Sequence, residues 1–84
     1  MYTTTTDERS QSQIDALPSC ALTPLAELRT MLEVAPWNGA SYSALNPDSP
    51  MRVCWFGHRS EGMVVYLILD DQRRVDLLEV LWAG

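Results

Sequence analysis

The chain has 84 residues, a formal net charge of −5 and an apolar share of 46%. That length fits one domain spanning residues 1–84, which buries only ~60–65% of its unfolded surface, and the apolar share excludes disorder throughout. The acid excess, with six arginines and no lysine, disfavours a dedicated nucleic-acid module, because an acidic chain repels phosphates unless its cations are concentrated locally.

The start, Met1-Tyr2-Thr3-Thr4-Thr5-Thr6-Asp7-Glu8, lacks the basic stretch and apolar core of a signal peptide. No apolar run approaches the ~20 residues of a membrane span. A cytoplasmic protein without a membrane segment is the resulting expectation. Tyr2–Thr6 reads either as a short strand or as a frayed terminus. Thr5 and Glu8 fit a capping box that opens a first helix over Thr6–Leu17. Its apolar side is thin, Ile14 and Leu17 with Ala16, and Pro18 ends it.

Thr23 as N-cap and Pro24 at the first helical position predict the start of a second helix. Leu25, Leu28, Leu32 and Ala35 recur at spacings of three and four and form its buried face. Pro36 stops it. The two helices form a hairpin that can cover one face of a sheet. Pro36 to Pro50 is a long connection, pinned by Trp37 and Tyr42, and loops of that length are often functional.

Three strands follow: Met51–Phe56, Met63–Leu69 and Arg74–Trp82. β-Branched and aromatic residues dominate them, and the connections, 57–62 and 70–73, are short and polar. This predicts an antiparallel meander, with the N-terminal strand as a fourth member if it forms. Strict alternation along the last strand puts Val75, Leu77 and Leu81 on one face and Leu78, Val80 and Trp82 on the other. The helices cover one face. The other then offers Leu78, Val80 and Trp82 to a partner, either another protein or a second copy in a homodimer.

Several stretches carry a family likeness. They are Asp15-Ala16-Leu17-Pro18, Met31 through Gly39, Asn46-Pro47, Met51-Arg52-Val53, Gly62 through Leu67, and Arg73 through Gly84. Their order resembles the RelE/ParE superfamily, the toxins of type II toxin–antitoxin systems, in an actinobacterial RelE-like branch. The resemblance implies an α+β fold: a short N-terminal strand, a two-helix hairpin, then a three-stranded antiparallel meander. It implies a cognate antitoxin as partner. It also implies either ribosome-dependent mRNA cleavage, as in RelE-type members, or inhibition of DNA gyrase, as in ParE-type members. A catalytically inactive binding module that keeps the fold is the alternative.

Arg52 matches a functional arginine of RelE-type members. The lysines of the preceding loop have no counterpart, since Asn46, Asp48 and Ser49 stand there. Leu81-Trp82-Ala83-Gly84 replaces the basic and tyrosine ending. Acid–base and phosphate-stabilising chemistry needs such groups.

Arg52 therefore reads either as a phosphate contact or as an ion-pair partner of Glu79 or Asp76. His58, in the turn with Arg59, is a candidate for proton transfer. Arg59, Arg73 and Arg74 join Arg52 as candidate nucleic-acid contacts, against the alternative of a solvated turn with compensating charges. Trp55, Tyr66 and Trp82 could stack a base or build a core. Two cysteines, Cys20 and Cys54, and one histidine have no zinc-site spacing, so no metal and no cofactor is expected. The cysteines read as free thiols or as one disulfide.

Overall fold

The computed structural model describes residues 1–84. β1 (Thr3–Thr6) is followed by α1 (Glu8–Asp15) and α2 (Ser19–Val34). A 3-10 turn at Pro36–Asn38 leads to the two-residue β2 (Ala40–Ser41). The meander is β3 (Met51–Phe56), β4 (Gly62–Leu69) and β5 (Arg74–Trp82). The sheet has five strands in the order β1-β5-β4-β3-β2. β1 runs parallel to β5, and every other pairing is antiparallel. The expected α+β order and meander are present. The N-terminal strand forms, and β2 adds a strand within the Pro36–Pro50 connection.

The threonine run becomes a strand because β5 offers it an edge. Thr5 and Thr6 then turn their hydroxyls to Asp76 and Gln11. That use removes Thr5 as a cap. The capping box instead joins Asp7 and Ser10: the Asp7 carboxylate accepts the Ser10 N–H at 2.8 Å, and Ser10 Oγ accepts the Asp7 N–H at 3.0 Å. α1 is consequently shorter than the predicted Thr6–Leu17 helix. It lies along β5, where Gln13 Oε1 accepts the Val80 N–H at 2.7 Å. A strand donor with no neighbouring strand is thereby satisfied.

α2 starts at Ser19, five residues before the expected Pro24-led beginning. Pro24 lies inside it, where its missing N–H forfeits one bond to the carbonyl of Cys20. The earlier start brings Ala21 into line with Leu25, Leu28 and Leu32, and all four are buried. Packing of that longer face outweighs the lost bond. These residues meet Phe56, Val64, Tyr66, Ile68, Val75, Leu77 and Val80 in one core on the inner face of the sheet.

The register of β5 on β4 shifts once. Val65 pairs with Glu79, but its neighbour Tyr66 pairs with Leu77. Leu78 is the extra residue of a β-bulge. The bulge inverts the side-chain phase beyond it. Val80 and Trp82 therefore join Val75 and Leu77 on the helix-covered face, while Leu81 points to the opposite one. No helix of the chain is long and apolar enough to cross a membrane.

Candidate functional site

Arg52 stands on β3 opposite Tyr66, on the inner face, and is 9% exposed. Its guanidinium is given over to main-chain carbonyls. Nε and Nη2 donate to the Gly39 carbonyl at 3.0 and 2.6 Å, and Nη1 donates to those of Pro47 and Ser49 at 3.1 Å each. The planar fork matches this geometry, and four of its five N–H groups are used. The Trp37 ring lies against it, 5.3 Å from centroid to guanidinium carbon. Arg52 pairs with neither Glu79 nor Asp76. It closes the 36–50 connection onto the sheet.

Tyr66 completes this clamp. It is fully buried, and its hydroxyl donates to the Pro36 carbonyl at 2.7 Å. Burial pushes its pKa up to about 12. Gly39 is required beside it, because a Cβ there would stand 2.1 Å from the Tyr66 hydroxyl oxygen. Tyr66 is thus a core residue rather than a surface for a base.

The remaining cations do not converge. Arg9 pairs with Glu79 at 2.6 Å and Arg74 with Asp76 at 2.8 Å. Arg29 donates to Thr4 Oγ1. Arg73 stacks on Tyr2 and donates to its hydroxyl, which itself bonds Asp70. His58 and Arg59 lie exposed in the β3–β4 turn. That turn and the Arg73-Arg74 turn sit at opposite ends of β4, whose eight residues span ~26 Å. These positions cannot grip one phosphate together.

The Arg59 N–H, rather than its side chain, binds Glu61 Oε1 at 2.7 Å, and this bond holds the Glu61 carboxyl below its ordinary range. His58 borders a cleft of about 740 Å³ between α2 and β3 that also touches Cys20, Thr23, Glu27 and Cys54. Both cysteines are free, and burial pushes the Cys54 thiol up. No group of three or more His, Cys, Asp or Glu side chains is placed to hold a metal ion.

The residues expected to meet a partner need correction. Val80 is 2% exposed and belongs to the core, and Trp82 packs against that core with its ring 5.7 Å from Phe56. The bulge at Leu78 put them there. The opposite face carries a different set. Cross-strand pairing aligns Trp55, Met63 and Leu81 in one row, Val53, Val65 and Glu79 in the next, and Met51, Leu67 and Asp76 in the third. Trp55 is 51% and Leu81 42% exposed, and Tyr42, beside Met51, is also exposed. Val53 and Val65 are buried yet lie outside the helix-side core. This second apolar face carries no helix. Its members were legible as apolar strand residues, but their alignment depends on the bulge.

An N-terminal strand, two helices and a mixed five-stranded sheet in this order make a RelE-like fold. The isolated E. coli RelE toxin superposes with a TM-score of 0.81 at 19% identity, over 100% of this chain and 86% of that one. The intact E. coli RelBE toxin–antitoxin complex gives 0.80 at 17% identity, over 100% of this chain and 99% of that one. An E. coli RelE mutant in complex with a peptide of antitoxin RelB gives 0.80 at 19%, over 99% and 84%. No protein-family model and no curated protein matches the chain.

Proposed function

We propose that this chain is the toxin component of a type II toxin–antitoxin pair, a growth inhibitor silenced by a cognate antitoxin. The observation that carries the reading is the RelE-like fold over the whole chain. Two of the similar structures are complexes with antitoxin RelB or its peptide, which supports an antitoxin as this chain's partner. Affinity to an actinobacterial branch rests on the sequence stretches quoted above. The action that follows from the reading is ribosome-dependent mRNA cleavage, with gyrase inhibition as the ParE-type variant.

One observation favours a second reading. Arg52, the matched functional arginine, spends four donors on carbonyls, and the arginines that reach the open face are both in ion pairs. A binding module that keeps the fold and cuts nothing fits that charge pattern. Induced expression in a susceptible bacterium separates the readings. Growth arrest with new cleavage inside translated messages supports the first. Arrest with gyrase-linked DNA breaks supports the ParE-type variant. Unchanged growth and transcripts support the binding module and refute the toxin.

A further inference from the structure

Pro24 shapes the surface of α2 as well as its hydrogen bonding. Cys20, Pro24, Glu27 and Met31 recur at spacings of four, three and four along the helix. They form one stripe beside the buried stripe of Ala21, Leu25, Leu28 and Leu32. That stripe is one wall of the cleft of about 740 Å³, a volume in the ordinary range for small-molecule sites. The other wall is the end of β3 and the turn after it, from Cys54 to His58. The floor is apolar: Leu28 and Phe56 are buried, and Met31 and Cys54 are half-buried.

The cleft stays open because β2 is short and pairs only with Arg52 and Val53. The Ile68 N–H donates to the Pro50 carbonyl, and the Tyr42 N–H to that of Met51. By alternation, Arg52, Cys54 and Phe56 turn their main-chain groups to β4. Trp55 turns its own to the β2 side, past the end of β2.

The polar groups around this apolar floor favour a cation. Pro24 has no N–H, so the Cys20 carbonyl loses its helical donor. The Trp55 carbonyl accepts a weak bond from Cys54 Sγ at 3.8 Å. Glu27 belongs to neither ion pair of the chain. No arginine or lysine lines the cleft, and the chain carries −5. A phosphate or carboxylate is repelled there, whereas a cationic donor meets a carboxylate and carbonyls.

We propose that this cleft binds an organic ammonium, with its alkyl or aryl body on Leu28, Met31 and Phe56 and its protonated amine at Glu27. The inference goes beyond the toxin reading and does not depend on it. Burial of the body provides the attraction, and the carboxylate selects the sign of the charge.

The test uses the full chain and two probes of matched length, phenylbutylamine and phenylbutyrate. Chemical shifts give location, and their titration gives affinity. Phenylbutylamine should move Leu28, Met31, Cys54 and Phe56 and bind in the low-millimolar range or below. It should bind about tenfold tighter than phenylbutyrate. Glu27 is exposed, so Glu27→Gln should fold normally and bring the two probes within about threefold of each other. Met31→Trp fills the cleft and should weaken phenylbutylamine binding about tenfold or more, with circular dichroism unchanged.

Equal affinity of the parent chain for both probes overturns the proposal. So does a Glu27→Gln chain that keeps the full preference, or a folded Met31→Trp chain that binds as before. Shifts centred on Met63, Val65 and Leu81, across the sheet, overturn it too, as does the absence of any shift at about tenfold above the expected range. None of these outcomes bears on growth arrest, so the toxin reading stands or falls separately.

Discussion

Arg52→Ala should destabilise the protein rather than merely remove a surface charge. The substitution deletes four N–H···O bonds to three carbonyls. The carbonyls of Pro47 and Ser49 lie in an accessible loop and can turn to water. Gly39 is buried, so its carbonyl stays without a donor, at about 1–3 kcal/mol. Loss of the guanidinium's contact with the Trp37 ring adds to this, while relief of a desolvated charge subtracts. The net loss is roughly 2–4 kcal/mol, a large share of the ~5–15 kcal/mol of a typical domain. For a chain of this length it lowers the melting temperature by roughly 10–25 °C. Arg52→Lys should recover less than half, because a single ammonium cannot fork onto Gly39 and also reach the loop. Thermal and urea melts give the magnitude. Amide exchange locates it: Asn46 and Ser49, whose N–H groups bond within the loop, should exchange faster while the amides of β4 stay protected. A melt within about 3 °C of the parent, with unchanged loop exchange, would refute the clamp.

Two further outcomes follow from the same clamp and from the helix caps. Tyr66→Phe leaves the buried Pro36 carbonyl without its donor and should cost about 1–3 kcal/mol in a urea melt. The folded-state pKa of Tyr66 is raised to about 12, so its contribution is intact below the ordinary tyrosine value and is lost as pH rises through the folded one. An alkaline absorbance titration should show one of the three tyrosines ionising last, together with unfolding, and Tyr66→Phe should remove that step. On the acid side, Asp7, Glu61 and Asp70 are each held below their ordinary values, first by hydrogen bonds from Ser10, the Arg59 N–H and Tyr2 respectively. Depressed carboxyls stabilise above the unfolded pKa, and that gain disappears as pH falls through the folded one. Melting temperature should therefore drop on acidification below the usual carboxylate range, and less steeply in an Asp7→Asn, Glu61→Gln, Asp70→Asn chain.

The fold was legible where the information is local. Runs such as Met63-Val64-Val65-Tyr66-Leu67-Ile68-Leu69 select extended chain by themselves, and the polar turns 57–62 and 70–73 bound them. The leucine face of α2 is equally local. Errors appear where a residue has two local uses and a distant neighbour decides between them. Thr5 could cap a helix or enter a strand, and the free edge of β5 drew it into the strand, leaving the cap to Asp7. Pro24 could open α2 or interrupt it, and Ala21, packed on the sheet, decided for interruption. Arg52 is the sharpest case. Its donors look the same in sequence whether they meet a phosphate or carbonyls, and the carbonyls belong to a loop whose path only the folded sheet defines.

The bulge at Leu78 has the widest consequence. Unbroken alternation from Leu77 would turn Glu79 inward under the helices, where an uncompensated carboxylate is costly. It would also turn Val80 and Trp82 outward. One extra residue reverses both and seats Val80 and Trp82 in the core. The same reversal sends Leu81 to the far face beside Met63 and Trp55. A chain that only needed to keep that face wet would carry polar residues at 55 and 81, where exposure is about half in each case. It carries tryptophan and leucine instead, and next to them a glutamate with one oxygen unengaged. Burial of the inner face therefore does not explain the residues of the outer one. Trp55, Met63 and Leu81 stand in one row there with Glu79 in the next, a set that packing under the helices does not dictate.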